Sequence, residues 1–199
     1  HYYDYPNNWI VDVVGENTNL VVNKITNDAQ HGTKSIKLNT LNIDNEVELG
    51  VLLYGIPSDD LSGLPFNGLA NRLNFWYKGN FVGNDKGFVW IMLFANGVKI
   101  DSIGYNITAS TNNWTQISIN INPNLIQPDS LFLAFVSSKP DWLVGDNPEP
   151  GTWLMIDNIS FSMGTTPIAQ QLPNSSFEDW TAATAEDPEF WRSSNSNLL

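Results

Sequence analysis

The sequence predicts an all-β sandwich of two antiparallel sheets, and three observations carry that reading. Apolar and polar residues alternate with a period of two along most of the chain. Turn residues interrupt the alternation at short, regular intervals. No stretch shows the 3.6-residue period of an amphipathic helix. About ten short strands at such spacing fit a sandwich, with helix expected below about 10% against a globular average of about 30–35%.

The strands follow in order. Val11 and Val13 alternate with Asp12 and Val14, and Leu20 and Val22 with Val21 and Asn23. Ser35-Ile36-Lys37-Leu38-Asn39 alternates cleanly, as a half-buried strand does, and Glu46–Val51 does the same. Arg72–Lys78, Gly87–Ala95, Val98–Tyr105, Trp114–Ile121, Ser130–Ser137 and Thr152–Ser162 complete the set. Asn96-Gly97 between two apolar runs is a two-residue hairpin signal. Two strands, Phe88–Phe94 and Leu131–Val136, are apolar on both faces. One face meets the opposite sheet, and the other needs a cover such as loops 56–70 or 138–151, a partner or a ligand.

Composition narrows the function. The 199 residues carry 9 Lys and Arg against 21 Asp and Glu, a net charge of −12. That field repels a phosphate backbone, so nucleic acid is excluded as a partner, and an anionic membrane surface on the same ground. No apolar run reaches the roughly 18 residues of a spanning helix, so membrane insertion is not expected, and no signal peptide is read at the amino terminus. Cysteine is absent, which removes disulfides, thiolate metal sites and a cysteine nucleophile. Two histidines, His1 and His31, leave almost no material for a histidine triad or a multi-histidine zinc site. Low charge with abundant Asn, Thr and Trp suits a secreted or outer-surface bacterial protein.

Aromatic residues are the richest chemical resource: 8 Trp, 6 Tyr and 10 Phe. A tryptophan ring packs against the flat C–H face of a sugar while polar neighbours take its hydroxyls. On one strand Asn74, Trp76 and Lys78 share a face, and Leu73, Phe75 and Tyr77 share the other, more apolar one. The first set is the candidate sugar-stacking face, with Trp90 on a doubly apolar strand and Trp142 in a Pro-rich loop as further candidates. Most tryptophans of such a chain are core residues, and Trp142 has the fewest core partners. A glycosidase needs two carboxylates, roughly 5–5.5 or 6.5–9.5 Å apart, one of raised pKa. Asp59-Asp60, Glu46/Glu48 and Asp141/Asp146/Glu149 lie in polar surroundings and supply no evident pair, so no catalytic residue is assigned and the reading leans away from an enzyme.

Composition shifts after Phe161. Residues 1–162 read as the sandwich module, 163–173 as a linker and 174–199 as a further segment. Pro6-Asn7-Asn8-Trp9 and Pro188-Glu189-Phe190-Trp191 share Pro-x-x-Trp. This reads as a tandem array, a module without its first strand followed by the first strand of the next. Residues 174–180 are expected as a strand that adds to this sandwich or swaps into a neighbouring copy, giving a strand-swapped homo-oligomer.

Ala29–Leu38, with its His31-Gly32-Thr33-Lys34-Ser35 turn, resembles the turn-and-strand of jelly-roll carbohydrate-binding modules. Asn174-Ser175-Ser176-Phe177-Glu178-Asp179-Trp180 resembles their opening strand, and Ile156-Asp157-Asn158-Ile159-Ser160-Phe161 their closing strand. Leu64-Pro65-Phe66, Leu73–Lys78, Pro128-Asp129-Ser130, Ser137-Ser138 and Gly151–Ile159 resemble a narrower family of bacterial surface proteins, the "putative carbohydrate metabolism domain". Together these pieces span most of residues 9–162. The resemblance implies a jelly-roll sandwich and a non-catalytic carbohydrate-binding or adhesion module with a polysaccharide or glycan partner. A structural spacer or assembly domain is the alternative, and a glycan-active hydrolase the third reading. No cofactor is required. The resemblance further implies a structural calcium, which residue by residue falls on Asp157, Glu178 and the Asp28–Lys34 turn, with Asp28 among its carboxylates.

Overall fold

Alternation becomes strand almost wherever the sequence shows it. The computed structural model describes residues 2–12, 18–56, 62–140 and 147–184. They form β1 (Tyr2–Pro6), β2 (Ile10–Asp12), a single helical turn α1 (Thr18–Val21), β3 (Val22–Thr26), β4 (Lys34–Ile43), β5 (Glu46–Leu49), β6 (Val51–Tyr54) and β7 (Leu64–Pro65). Then come β8 (Arg72–Asn80), β9 (Gly87–Ala95), β10 (Val98–Ile107), β11 (Thr111–Asn120), β12 (Ser130–Val136), β13 (Trp153–Met163), β14 (Thr166–Pro167) and β15 (Trp180–Thr184). One sheet runs β10-β9-β12-β6-β2, with β7 also on β12. The other runs β11-β8-β13-β4-β3, with β14 on β13 and β5 on β4. Neighbouring strands of both are antiparallel, for example β9 with β12 and β8 with β13, so the fold is the expected jelly-roll sandwich.

The core lies between these sheets. Val89, Ile91, Leu93, Leu131, Leu133 and Phe135 of the β9 sheet meet Ile36, Leu38, Leu73, Phe75, Leu154 and Ile156 of the β8 sheet, all buried. Each such side chain gains roughly 1.5–3 kcal/mol from leaving water. Phe75 meets Phe135 edge-on, with centroids 5.1 Å apart. The doubly apolar strands β9 and β12 are neighbours, and their other faces form a second cluster of Leu53, Met92, Phe132 and Ala134 with Trp90 and Phe94 against it. A Cβ on Gly55 would stand 2.4 Å from the Phe132 ring, so the chain leaving β6 lies across part of that cluster.

Two features differ from the sequence reading. The run Glu46–Val51 divides at Gly50. Before it, β5 pairs with β4 in the β8 sheet; after it, β6 pairs with β12 in the β9 sheet. The Gly50 N–H donates to Asn39 O at 2.8 Å, and a Cβ there would stand 2.5 Å from Val21 O, so the crossing needs glycine. The second difference is the carboxy-terminal segment. The strand expected at 174–180 begins only at Trp180. Asn174 and Phe177 take φ values of 48° and 53°, outside the extended region. The Asn174 amide replaces a strand ladder here: its Oδ1 accepts from Asp179 N, and its Nδ2 donates to Asp179 O and Asn7 O.

This segment packs on the sandwich of its own chain. The Gln171 side chain accepts from Phe161 N and donates to Phe161 O. Leu172 and Phe177 enter the main core. β15 then pairs with β1, Pro6 opposite Trp180, as a two-stranded ribbon apart from the main sheets rather than on a main-sheet edge.

Candidate functional site

Two arrangements on the β8 sheet bring chemistry together. The first is built on the turn between β3 and β4, which the Asn27 N–H closes by donating to Thr33 O at 2.9 Å. Gly32 takes φ +73°, and its missing Cβ leaves room for the Glu178 carboxylate, which would otherwise stand 2.4 Å away. Glu178 Oε1 accepts from Thr33 N at 2.9 Å and Lys34 N at 2.8 Å, and Oε2 from the Thr33 hydroxyl at 3.0 Å. Asp157 holds the same turn: its Oδ2 accepts from Gln30 N at 2.6 Å and His31 N at 2.8 Å. The register of β13 against β8 shifts between Asp157 and Ser160, where Asn158 takes φ 50° and bonds Gln30 Oε1 through its side chain. This bulge sets Asp157 beneath the turn.

The two carboxylates differ in character. Asp157 is 0% exposed, and burial pushes its carboxyl up to about 6, although the amides of His31, Gln30 and Asn158 pull it down; Glu178 adds to the rise. Slight burial pushes Glu178 up, but the Lys34 and Thr33 amides, the Thr33 hydroxyl and the Lys34 charge outweigh it and hold the carboxyl below its usual value. Without a bound cation, ionising Asp157 therefore opposes folding. Its stabilising contribution is full below the unfolded value of about 4 and is lost as pH rises through 6. Denaturant melts of metal-free protein at pH 4 and pH 7, compared with the same pair in Asp157→Asn, isolate this contribution.

The second arrangement is the outer face of the same sheet. The β8 alternation holds: Leu73, Phe75 and Tyr77 enter the core, while Asn74, Trp76 and Lys78 are half-buried on the other side. Cross-strand register adds residues that the sequence reading missed. Trp76 lies between Asp157 on β13 and Gln116 on β11. Lys78 lies beside Met155, which lies beside Lys37, which lies beside Asn23, one row over four strands. The Lys78 ammonium stands 5.1 Å from the Trp114 ring centroid and the Lys37 ammonium 4.7 Å from that of Trp153. Trp76, Trp114 and Trp153 are all half-buried. The parity that places Trp76 outward also places Trp114 on the face opposite Ile117 and Ile119, and Trp153 on the face opposite Leu154 and Ile156. What the sequence lacks is the strand order that brings the three rings onto one sheet face.

Other predicted residues fall elsewhere. Asp28 does not join Asp157 and Glu178: its carboxylate accepts from Lys78 Nζ at 2.5 Å and Trp114 Nε1 at 3.1 Å, on the tryptophan face. Trp90 lies on the outer face of the opposite sheet, its ring 6.0 Å from Phe132, so it shares no site with Trp76. Trp142 and the carboxylates Asp59, Asp60, Asp141 and Asp146 lie outside the described residues. Among the described residues, no three His, Asp or Glu side chains cluster for a metal, so any cation here would take carbonyl or water oxygens besides the two carboxylates. No helix of the described residues is long and apolar enough to cross a membrane.

No protein-family profile matches the chain, and no curated protein matches its sequence. Solved structures do match. A "putative glycoside hydrolase" from Bacteroides thetaiotaomicron aligns with TM-score 0.54 and 15% identity over 74% of this chain, which spans 58% of that protein. Another "putative glycoside hydrolase", from Bacteroides vulgatus, aligns with TM-score 0.52 and 16% identity over 71% of this chain and 77% of that one. A carbohydrate-binding module in complex with β-1,4-galactotriose aligns less well, with TM-score 0.45 and 14% identity over 77% of this chain and 87% of that one. At these identities the first two likenesses establish the β-sandwich fold.

Proposed function

We propose that this chain is a non-catalytic carbohydrate-binding module of a secreted or surface protein, and that glycan lies on the outer face of the β8 sheet. One observation carries the reading: Trp76, Trp114 and Trp153 are half-buried on one sheet face, interspersed with Asn74, Gln116, Lys37 and Lys78. Strand-borne rings are rigid, so little entropy is lost when a sugar stacks on them. A hydrolase reading finds less support. The Asp157 and Glu178 carboxylates come together, but one is fully buried and both bind the 30–34 turn.

The turn supports a second element, a bound calcium. Asp157 is a buried carboxylate with no ion-pair partner among the described residues, beside a second carboxylate that raises its pKa. A divalent cation relieves such a charge, and hard oxygen donors suit calcium. Asp157, Glu178 and carbonyls of the 28–34 turn would hold it. Its role would be structural, fixing the turn at the edge of the tryptophan face.

The experiment is a glycan array followed by titration of the bound polysaccharide. Trp76→Ala or Trp114→Ala is expected to weaken binding about tenfold or more, roughly 1.4 kcal/mol, with little change in Tm because both rings are outside the core. Binding unchanged in both variants would remove this face as the site. Failure of the wild-type chain to bind any glycan would favour a spacer or assembly domain.

A further inference from the structure

The chain holds nine cationic residues, and five of them, Lys24, Lys34, Lys37, Arg72 and Lys78, lie on β3, β4 and β8. In a protein of net charge −12 this is a marked concentration on one sheet. Lys24 pairs with Asp4 and Lys78 with Asp28; Lys34 donates to Glu178 O and its charge helps hold the Glu178 carboxyl low, and Arg72 donates to the Ser118 hydroxyl at 3.4 Å. Lys37 differs. Its cross-strand neighbours, Asn23 and Met155, are uncharged, and its ammonium lies over the Trp153 ring with no carboxylate in ion-pair range among the described residues. Partial burial lowers its pKa, as expected of an ammonium withdrawn from water without an anion in return.

We propose that the Lys37 position on this face selects an anionic glycan, a chain of sugar units bearing carboxylates, with the acid group at the Lys37 ammonium and sugar rings on the neighbouring tryptophans. The inference rests on the tryptophan face being the glycan site. It adds a charge requirement that ring stacking does not impose. Lys37 and Lys78 sit two strands apart, about 10 Å at the usual spacing, with Met155 between them. A polysaccharide crossing the strands would therefore pass from the Lys37–Trp153 pair to the Lys78–Trp114 pair. At Lys78 the place of an anion is already taken by Asp28, and Arg72 lies at the opposite end of β8 from Trp153, so the selectivity is assigned to Lys37. Charge-assisted bonds from an ammonium shielded by an indole are stronger than those in open solvent, and salt screens them.

The test is titration of the whole chain with polygalacturonate, alginate and hyaluronate, each beside its methyl-esterified or carboxyl-reduced counterpart. At least one acid polymer is expected to bind, and at least tenfold more tightly than its neutral form, with affinity falling as salt rises. Lys37→Met keeps the stem over Trp153 and is expected to abolish that preference without shifting Tm, while Lys37→Arg retains it. Equal binding of the acid and neutral forms, or an unchanged preference in Lys37→Met, would overturn the charge requirement and leave the tryptophan face intact as a site for neutral glycans. No binding to any of these polymers would likewise overturn this inference, while the tryptophan face itself stands or falls by the glycan array.

Discussion

Phe177→Ala is expected to lower stability by about 3–5 kcal/mol, the range for a large aromatic removed from a packed core. Phe177 is 0% exposed and joins the main hydrophobic cluster, although it belongs to a segment remote in sequence from the strands around it. Its ring lies 5.5 Å from that of Trp9, whose Nε1 donates to Pro173 O at 3.2 Å. The same segment clasps the amino-terminal region through Asn7 N to Asp179 O and through the β1–β15 ribbon. Against a typical total of about 5–15 kcal/mol, this one ring carries a large share of the fold. Deleting residues 174–199 is expected to be worse, exposing Trp9 and the apolar surface beneath Phe177 and causing aggregation. Chemical denaturation reads the first effect and light scattering the second. A loss under about 1 kcal/mol, or a truncation as stable as the full chain, would show that the segment merely rests on the surface. Light scattering of the full chain also distinguishes a segment seated on its own sandwich from one exchanged between copies. The first is monomeric at every concentration, and the second is a dimer that dissociates on dilution.

The legibility of the fold follows from where the information lies. Residue alternation is local, so β4, β8, β9 and β12 are readable to within a few residues. The break at Gly50 is not, because what forbids a side chain there is the Val21 carbonyl, a tertiary neighbour. Nor is the shift of the last strand from 174–180 to Trp180, because the left-handed Asn174 and Phe177 are stabilised by a seat on the finished sandwich. At the site, parity alone places Trp76 with Asn74 and Lys78. Bringing Trp153 and Trp114 beside them depends on β13 and β11 pairing on either side of β8. Trp90 shows the limit of the same parity: it points outward as Trp76 does, but from the other sheet. The Asp157–Glu178 pairing is visible only through motif resemblance, since 20 residues and a bulge intervene and no local pattern encodes their meeting. Asp28 lies beside that turn, yet its carboxylate serves Lys78 and Trp114.

Calcium is expected to raise Tm, and the gain should vanish in Asp157→Asn and in Glu178→Gln. A ligand bound to the native state alone at 100 times its Kd adds about 2.7 kcal/mol, which for a chain of this size is roughly 5–10 °C. The physical source is the charge already present. Asp157 is buried without an ion-pair partner among the described residues and is made worse off by Glu178, so the metal-free protein carries repulsion at neutral pH that a divalent cation would convert to attraction. The unfolded chain separates the two residues and binds weakly. Gly32 supplies an independent check. A side chain there would displace Glu178, whose carboxylate occupies that space, and would strain a backbone at φ +73°. Gly32→Val should therefore lose the calcium response and stability together, while Asp157→Asn should lose the calcium response and, in chelator, melt no lower than wild type at neutral pH. Differential scanning calorimetry in millimolar calcium and in chelator measures all four proteins. A wild-type Tm indifferent to calcium would leave the two carboxylates as a hydrogen-bonded clamp on the 28–34 turn, with the buried charge of Asp157 tolerated because the amides of Gln30, His31 and Asn158 suffice for it.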